Sequence, residues 1–180
     1  MNSMIDYTLW KVYTTNISVI ISAIPILVFI WSVIGALFYK RIRIIGIVVM
    51  IIAVAAILYI TVLSRSESSE GADFIPFSAI ERAKNEPELY RSMLMNAFLF
   101  VPLGLSLPFV FGGSIAKRIM LTILVGFLLS VTVESIQFFA FLGMTETDDV
   151  ICNTLGTLIG SCAYLLAMLW KKAFMKKKLN

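Results

Sequence analysis

Ile44-Ile-Gly-Ile-Val-Val-Met-Ile-Ile-Ala-Val-Ala-Ala-Ile-Leu-Tyr-Ile-Thr-Val-Leu63 contains no charged side chain. It matches the about 20 mostly apolar residues that a helix needs to cross a bilayer. Arg43 and Arg65 bracket it. Working outward, the same pattern recurs on both sides. Residues 17–39 form one apolar run, with Pro25 as a kink. Residues 94–111, 119–142 and 150–170 form three more. The run at 94–111 contains Asn96, Pro102, Gly104 and Pro108, and is expected to be bent, short or partly re-entrant. The run at 119–142 carries Glu134. The expected fold is an all-α membrane protein, a bundle of about five transmembrane helices.

Composition agrees. Hydrophobic residues make up 59% of the chain and charged residues 14%, against about 45–50% and about 25% in soluble domains. Such an apolar surface needs lipid as its solvent. No segment is long and polar enough to form a soluble domain, and no nucleic-acid partner is expected. Histidine is absent, which excludes a Ser-His-Asp triad, a Cys-His pair and a His-ligated metal site. Cys152 and Cys162 lie on one expected helix, about 15 Å apart in rise, too far for a disulfide. Asp6 and Lys11 give the N-terminus no positive region, so a secretory signal is not expected there.

The loops orient the bundle. Lys40, Arg41, Arg43, Lys117, Arg118, Lys171, Lys172, Lys176, Lys177 and Lys178 fall on one side. Lys11, Arg65, Arg82, Lys84 and Arg91 fall on the other. The positive-inside rule therefore places the N-terminus outside and the C-terminus in the cytoplasm. Residues 1–16 are read as an extracellular segment, either a short interfacial helix, whose spacing Ile5, Leu9 and Val12 share, or an unstructured terminus. Residues 17–63 hold the first two spans, 64–170 an outer loop and three spans, and 171–180 a basic tail suited to anionic lipid heads. The loop carboxylates all fall outside.

That orientation gathers polar residues at one depth. Ser130, Glu134 and Gln137 stand at i, i+4 and i+7 and share one helix face. Glu134 lies about 22 Å along its helix from the inner end, which puts it in the outer third of the membrane. Asp148 and Asp149 precede the fifth span, and Asn153 sits in its first turn. Asn96 and Arg65 reach the same level. An ionisable group inside a span usually faces the bundle interior and pairs. Two explanations stay open: Glu134 glues helices by pairing with Arg65 or Asn96, or the cluster lines a functional cavity. Gly156 and Gly160 form a GxxxG step for close helix packing. Phe74-Ile75-Pro76-Phe77 is expected to dip into the interface or cover the cavity, and residues 81–92 to form a solvated loop or short helix.

The same residues carry a resemblance. Asn96-Ala-Phe-Leu-Phe-Val-Pro-Leu-Gly104, Glu134-Ser-Ile-Gln137, Asp148-Asp149-Val-Ile-Cys-Asn153-Thr154-Leu155-Gly156 and Phe74-Ile75-Pro76-Phe77 together resemble the conserved elements of the VanZ-like membrane protein family in order and spacing. Two departures stand out. Asp73 occupies a position where many relatives have Asn, and the turn from Gly143 to Asp149 lacks the arginine many relatives carry there. If that arginine holds an anion, the role is missing here or falls to Arg65 or Arg91. The resemblance implies a link to low-level resistance to the glycopeptide antibiotic teicoplanin in Gram-positive bacteria. It implies no reaction.

Two classes of function fit. The first is a membrane enzyme or lipid-handling protein acting on a membrane lipid or lipid-linked envelope precursor at the outer leaflet. Glu134 would be the general acid or base, since a carboxyl group in an apolar setting suits proton transfer near neutral pH. Asp149 is the second candidate catalytic group. Asn96, Gln137, Asn153, Arg65 and Asp148 would hold the substrate, and a divalent cation at Asp148 and Asp149 is chemically reasonable. The second class is a non-catalytic scaffold or lipid-binding protein in which the cluster is structural or forms a binding pocket. A proton-coupled transporter fits less well with so short a chain and no inverted repeat.

Overall fold

A computed structural model describes residues 17–38, 41–66 and 71–177. Residues 1–16, read as an interfacial helix or an unstructured terminus, and the end of the basic tail lie outside the described residues. Helix α1 spans Ile17–Leu37 and α2 spans Ile42–Leu58, continued by a π-helical turn over Tyr59–Leu63. A short strand β1 (Ala72–Asp73) and helix α3 (Ser78–Ala83) follow. Then come α4 (Pro87–Val110), α5 (Ile115–Phe139), strand β2 (Thr145–Glu146) and α6 (Thr147–Lys177). Five of these helices are long and apolar enough to cross a membrane, and the protein is a multi-pass membrane protein.

The third span corrects the expectation. It is neither short nor re-entrant: α4 is one helix of 24 residues that begins at Pro87, inside the segment read as a solvated loop or short helix. Pro87 sits at the helix start, where a missing N–H removes no intrahelical bond. Glu88 and Arg91 pair on its exposed first turns. Pro102 and Pro108 are carried inside α4, and the carbonyl of Pro108 finds a donor in Arg118 Nη1 at 3.0 Å. Helix α6 also starts earlier than expected, so Asp148 and Asp149 lie in its first turn.

Helices α4 and α6 form the centre. Over their apolar windows, 56% of α4 and 50% of α6 is buried, against 17%, 22% and 28% in the other three. Both run in the same direction along the bundle, and glycines let their backbones touch. A Cβ on Gly104, Gly156 or Gly160 would collide with the backbone carbonyl of Thr157, Ala97 or Val101 respectively. This is the close approach that small residues permit in membrane helices. Helix α1 packs on α6 and α4, α2 on α4, and α5 on α6. Phe100, Leu103, Leu107, Ile57 and Val133 fill one core cluster where α2, α4 and α5 meet.

One end of the bundle gathers the carboxylates. There β1 and β2 pair in parallel, Ala72 opposite Thr145 and Asp73 opposite Glu146. Arg82 of α3 bridges Asp73 at 3.2 Å and Glu146 at 2.7 Å. This cap ties the 71–86 segment to the α5–α6 turn and positions the site below it.

Candidate functional site

Ser130, Glu134 and Gln137 lie on the buried face of α5, as their spacing requires. Gln137 is buried at 1% exposure, and its Nε2 donates to the carbonyl of Thr61 at 2.8 Å. Thr61 belongs to the π-helical turn, whose altered pattern offers carbonyls in directions an α-helix would not. Ser130 accepts a hydrogen bond from Asn153 Nδ2 at 2.9 Å, which joins α5 to α6. Asn96 of α4 lies beside the carboxylate of Asp149, where α4 meets α6.

Glu134 sits where these contacts meet. Its Oε2 accepts the backbone N–H of Glu146 at 3.4 Å, so the strand residue lies directly above it. Asp149, Arg65 and Glu146 are all near enough to act on it electrostatically. Arg65 makes no ion pair with Glu134 within 4.0 Å among the described residues; its Nη1 donates to the Leu142 carbonyl at 3.3 Å. The pairing of Glu134 with Arg65 or Asn96 is thus replaced by a backbone contact to Glu146. Arg65 instead rests against the Leu142-Gly143 turn between α5 and α6, where Gly143 has φ +107°. The turn from Gly143 to Asp149 has no arginine of its own, and the Arg65 guanidinium stands beside it from another part of the chain.

Asp148 is placed differently from the expected substrate-binding residue. Oδ1 accepts the N–H of Phe77 at 2.6 Å and Oδ2 that of Ile80 at 3.1 Å. Both oxygens serve the start of α3. Asp148 and Asp149 therefore face different partners rather than converging on one ion. Among the described residues no group of three or more His, Cys, Asp or Glu side chains is placed to hold a metal ion.

A cleft of about 350 Å³ opens beside Glu134. Its walls are Phe74, Phe127, Val131, Ser135, Phe138 and Phe139, with Thr145, Glu146, Thr147 and Val150 at the strand and helix start. Phe74 packs on Phe138 with ring centres 6.0 Å apart, so the Phe74 segment covers the cleft at that edge. Ile75 and Phe77 stay exposed. The cleft is largely aromatic and aliphatic, with Glu134 and Glu146 as its buried acids. Thr145 is buried, and its Oγ1 has no hydrogen-bond partner. Gln137 Oε1 and Asn153 Oδ1 are also buried without partners. Buried polar atoms normally find a partner; among the described residues Trp31 Nε1, away from this cleft, is a fourth without one.

Sequence reasoning missed Thr145, Glu146, Arg82 and the aromatic wall. Only the strand pairing brings Arg82 to Glu146, 64 residues away. Outside the spans, Asp73 is held below the usual carboxylate range, first by the Ser78 hydroxyl, then by the Ile75 N–H and the Arg82 guanidinium.

Residues 43–170 match the family model described as VanZ/LLP1. The chain is also similar to Protein VanZ of Enterococcus faecium, 36% identical over 93 residues. That alignment covers 51% of this chain and 53% of the relative, so the chain spans about half the length of the curated relative it matches. No solved structure matches it.

Proposed function

The chain belongs to the VanZ/LLP1 family, and on that footing we propose that it binds a cell-envelope amphiphile in the cleft beside Glu134 and so contributes to teicoplanin tolerance. The proposed setting is the cell membrane, with the N-terminus and the carboxylate end outside and the basic end in the cytoplasm. The distribution of Lys and Arg supports that orientation.

The observation that carries the proposal is the Glu134 carboxyl group at the floor of an apolar cleft, with the partnerless Thr145 hydroxyl in the same wall. Phe74, Phe127, Phe138 and Phe139 suit an acyl or prenyl chain. Glu134, Thr145 and Glu146 suit hydroxyl, amide or amine groups on the head of the same molecule. Concave, mostly apolar sites with a few placed polar groups are the usual form of a ligand site. The ligand is a membrane lipid or a lipid-linked envelope precursor.

Proton transfer is the second reading. Asp149 lies close to Glu134, and paired carboxyl groups can divide acid and base roles. Substitution separates the two readings. The chain is expressed in a teicoplanin-susceptible Gram-positive host, and tolerance is scored beside membrane accumulation. Under binding, Glu134→Gln keeps most of the tolerance because the amide still hydrogen-bonds, whereas Glu134→Leu loses it. Complete loss in Glu134→Gln at normal accumulation would favour proton transfer. Full tolerance in Glu134→Leu removes the cleft from the function altogether. Orientation is checked by labelling an exposed Ser66→Cys variant in whole cells. Failure to react with an impermeant thiol reagent overturns the outside placement.

A further inference from the structure

The opposite end of the bundle has a different character. Between α4 and α5 the chain reverses through Phe111, Gly112, Gly113 and Ser114. Phe111 leaves α4 extended, with ψ 151°. Gly113 takes φ +104°, a conformation that glycine adopts freely and other residues rarely do. Ser114 then caps α5 by accepting the Lys117 N–H at 3.3 Å.

This reversal turns Arg118 back over the end of α4. Its Nη1 donates to the Pro108 carbonyl at 3.0 Å, and its Nε donates to the Gly113 carbonyl at 3.0 Å. Its guanidinium carbon stands 5.4 Å from the centre of the Tyr164 ring. Three contacts from three parts of the chain hold the side chain in place, so little of its rotamer freedom remains to be lost on binding.

Beside it lies a cavity of about 230 Å³ whose walls include Ile42, Arg43, Phe109, Val110, Arg118 and Tyr164. Arg43 reaches it from the first turn of α2. Two arginines therefore border one cavity. The other charged side chains described at this end, Arg41, Lys117, Lys171 and Lys172, are also basic, and no described carboxylate is there. Like charges around one space repel unless an anion sits between them. Arginine forks match phosphate oxygens in geometry and charge.

We propose that this cavity binds a phosphate group, on an anionic lipid headgroup or as the free ion. Ile42, Phe109 and Val110 place apolar surface directly beside the two arginines, which fits a phosphodiester carrying hydrocarbon. Basic pockets between membrane helices take phospholipid heads in the same way. The site lies at the far end from the Glu134 cleft and stands or falls independently of it.

The test uses the full chain purified in a neutral detergent. Native mass spectrometry and thermal unfolding are followed with added phosphatidylglycerol, phosphatidylcholine or inorganic phosphate. Phosphatidylglycerol is expected to bind and to raise the unfolding temperature, with phosphatidylcholine several-fold weaker. Arg43→Gln should weaken phosphatidylglycerol binding by roughly tenfold, as loss of one charge-assisted contact implies, without lowering the lipid-free unfolding temperature. Arg41→Gln removes the same charge from outside the cavity wall and should change binding by less than about twofold. If inorganic phosphate stabilises the protein and competes with the lipid, the site stands as a phosphate site for the free ion. Equal weakening by Arg41→Gln and Arg43→Gln, or no effect of Arg43→Gln, overturns the proposal in favour of diffuse basic charge.

Discussion

Asp148, in the first turn of α6, accepts the backbone N–H of Phe77 at 2.6 Å across 71 residues of sequence. Its second oxygen takes the N–H of Ile80 at 3.1 Å. Phe77, the residue before α3, has φ 67° and no side-chain cap of its own. The carboxylate of a distant helix thus does what a local Ser or Asp does at most helix starts. Asp148→Ala should cost about 1–2 kcal/mol and loosen the 71–86 segment. Asp148→Asn keeps one acceptor and should fall between the two. Thermal unfolding and hydrogen exchange of that segment check this. Unchanged exchange in Asp148→Ala would show that the cap is held by Arg82 alone.

The same cap should respond to acid. Asp73 is held below its ordinary value chiefly by the Ser78 hydroxyl, with the Ile75 N–H and Arg82 assisting. A depressed carboxylate contributes stability that is present above its unfolded value and is lost as pH falls through the folded one. The cap should therefore stay closed from pH 7 to pH 5 and open only below about pH 4. Ser78→Ala removes the largest cause, so opening should move to higher pH. Hydrogen exchange across 71–86 as a function of pH reads this directly. The Arg82 bridge to Glu146 limits the effect to partial loosening.

The contact between α4 and α6 leaves no room for a side chain at Gly156 or Gly160. Gly156→Ala and Gly160→Ala should each cost about 1–3 kcal/mol, the range for overpacking a tight core. Gly112→Ala meets nothing within 4 Å and should be near neutral. Membrane accumulation and unfolding temperature distinguish these cases. A tolerant Gly156→Ala would mean that the two helices separate at little cost.

Much of this was legible in the sequence, for a physical reason. Spans are set by hydropathy, a property of consecutive residues, so the five runs around 44–63 stand out. The shared face of Ser130, Glu134 and Gln137 follows from helical spacing alone. The start of α4 was not legible. Glu86, Pro87 and Glu88 look like loop, yet Pro87 opens a helix that continues above the apolar region. Nor was the role of Asp148. A carboxylate beside another at a helix start looks like a cation ligand, and only the folded chain brings Phe77 and Ile80 to it. Arg82 meeting Glu146 is the same case: two ordinary loop charges become neighbours through a strand pairing of two residues, too short to leave a pattern.

The cleft itself can be tested by filling it. Val131 and Ser135 stand one turn apart on α5, on the wall facing the space beside Glu134. Val131 is 37% exposed, so a larger side chain there meets no packed core. Val131→Trp should insert and accumulate normally while it fills much of the 350 Å³ available. Under the proposed binding role, tolerance to teicoplanin should then fall to the level of cells lacking the protein. Leu155→Trp, on the far side of α6 in the separate groove with Tyr90 and Met93, is the control and should leave tolerance unchanged. The comparison measures occupancy apart from chemistry, because both substitutions leave the Glu134 carboxyl group itself in place. If Val131→Trp keeps full tolerance at normal accumulation, no chain of an amphiphile lies in that cleft, and Glu134 must be judged as a buried structural acid capped by Glu146.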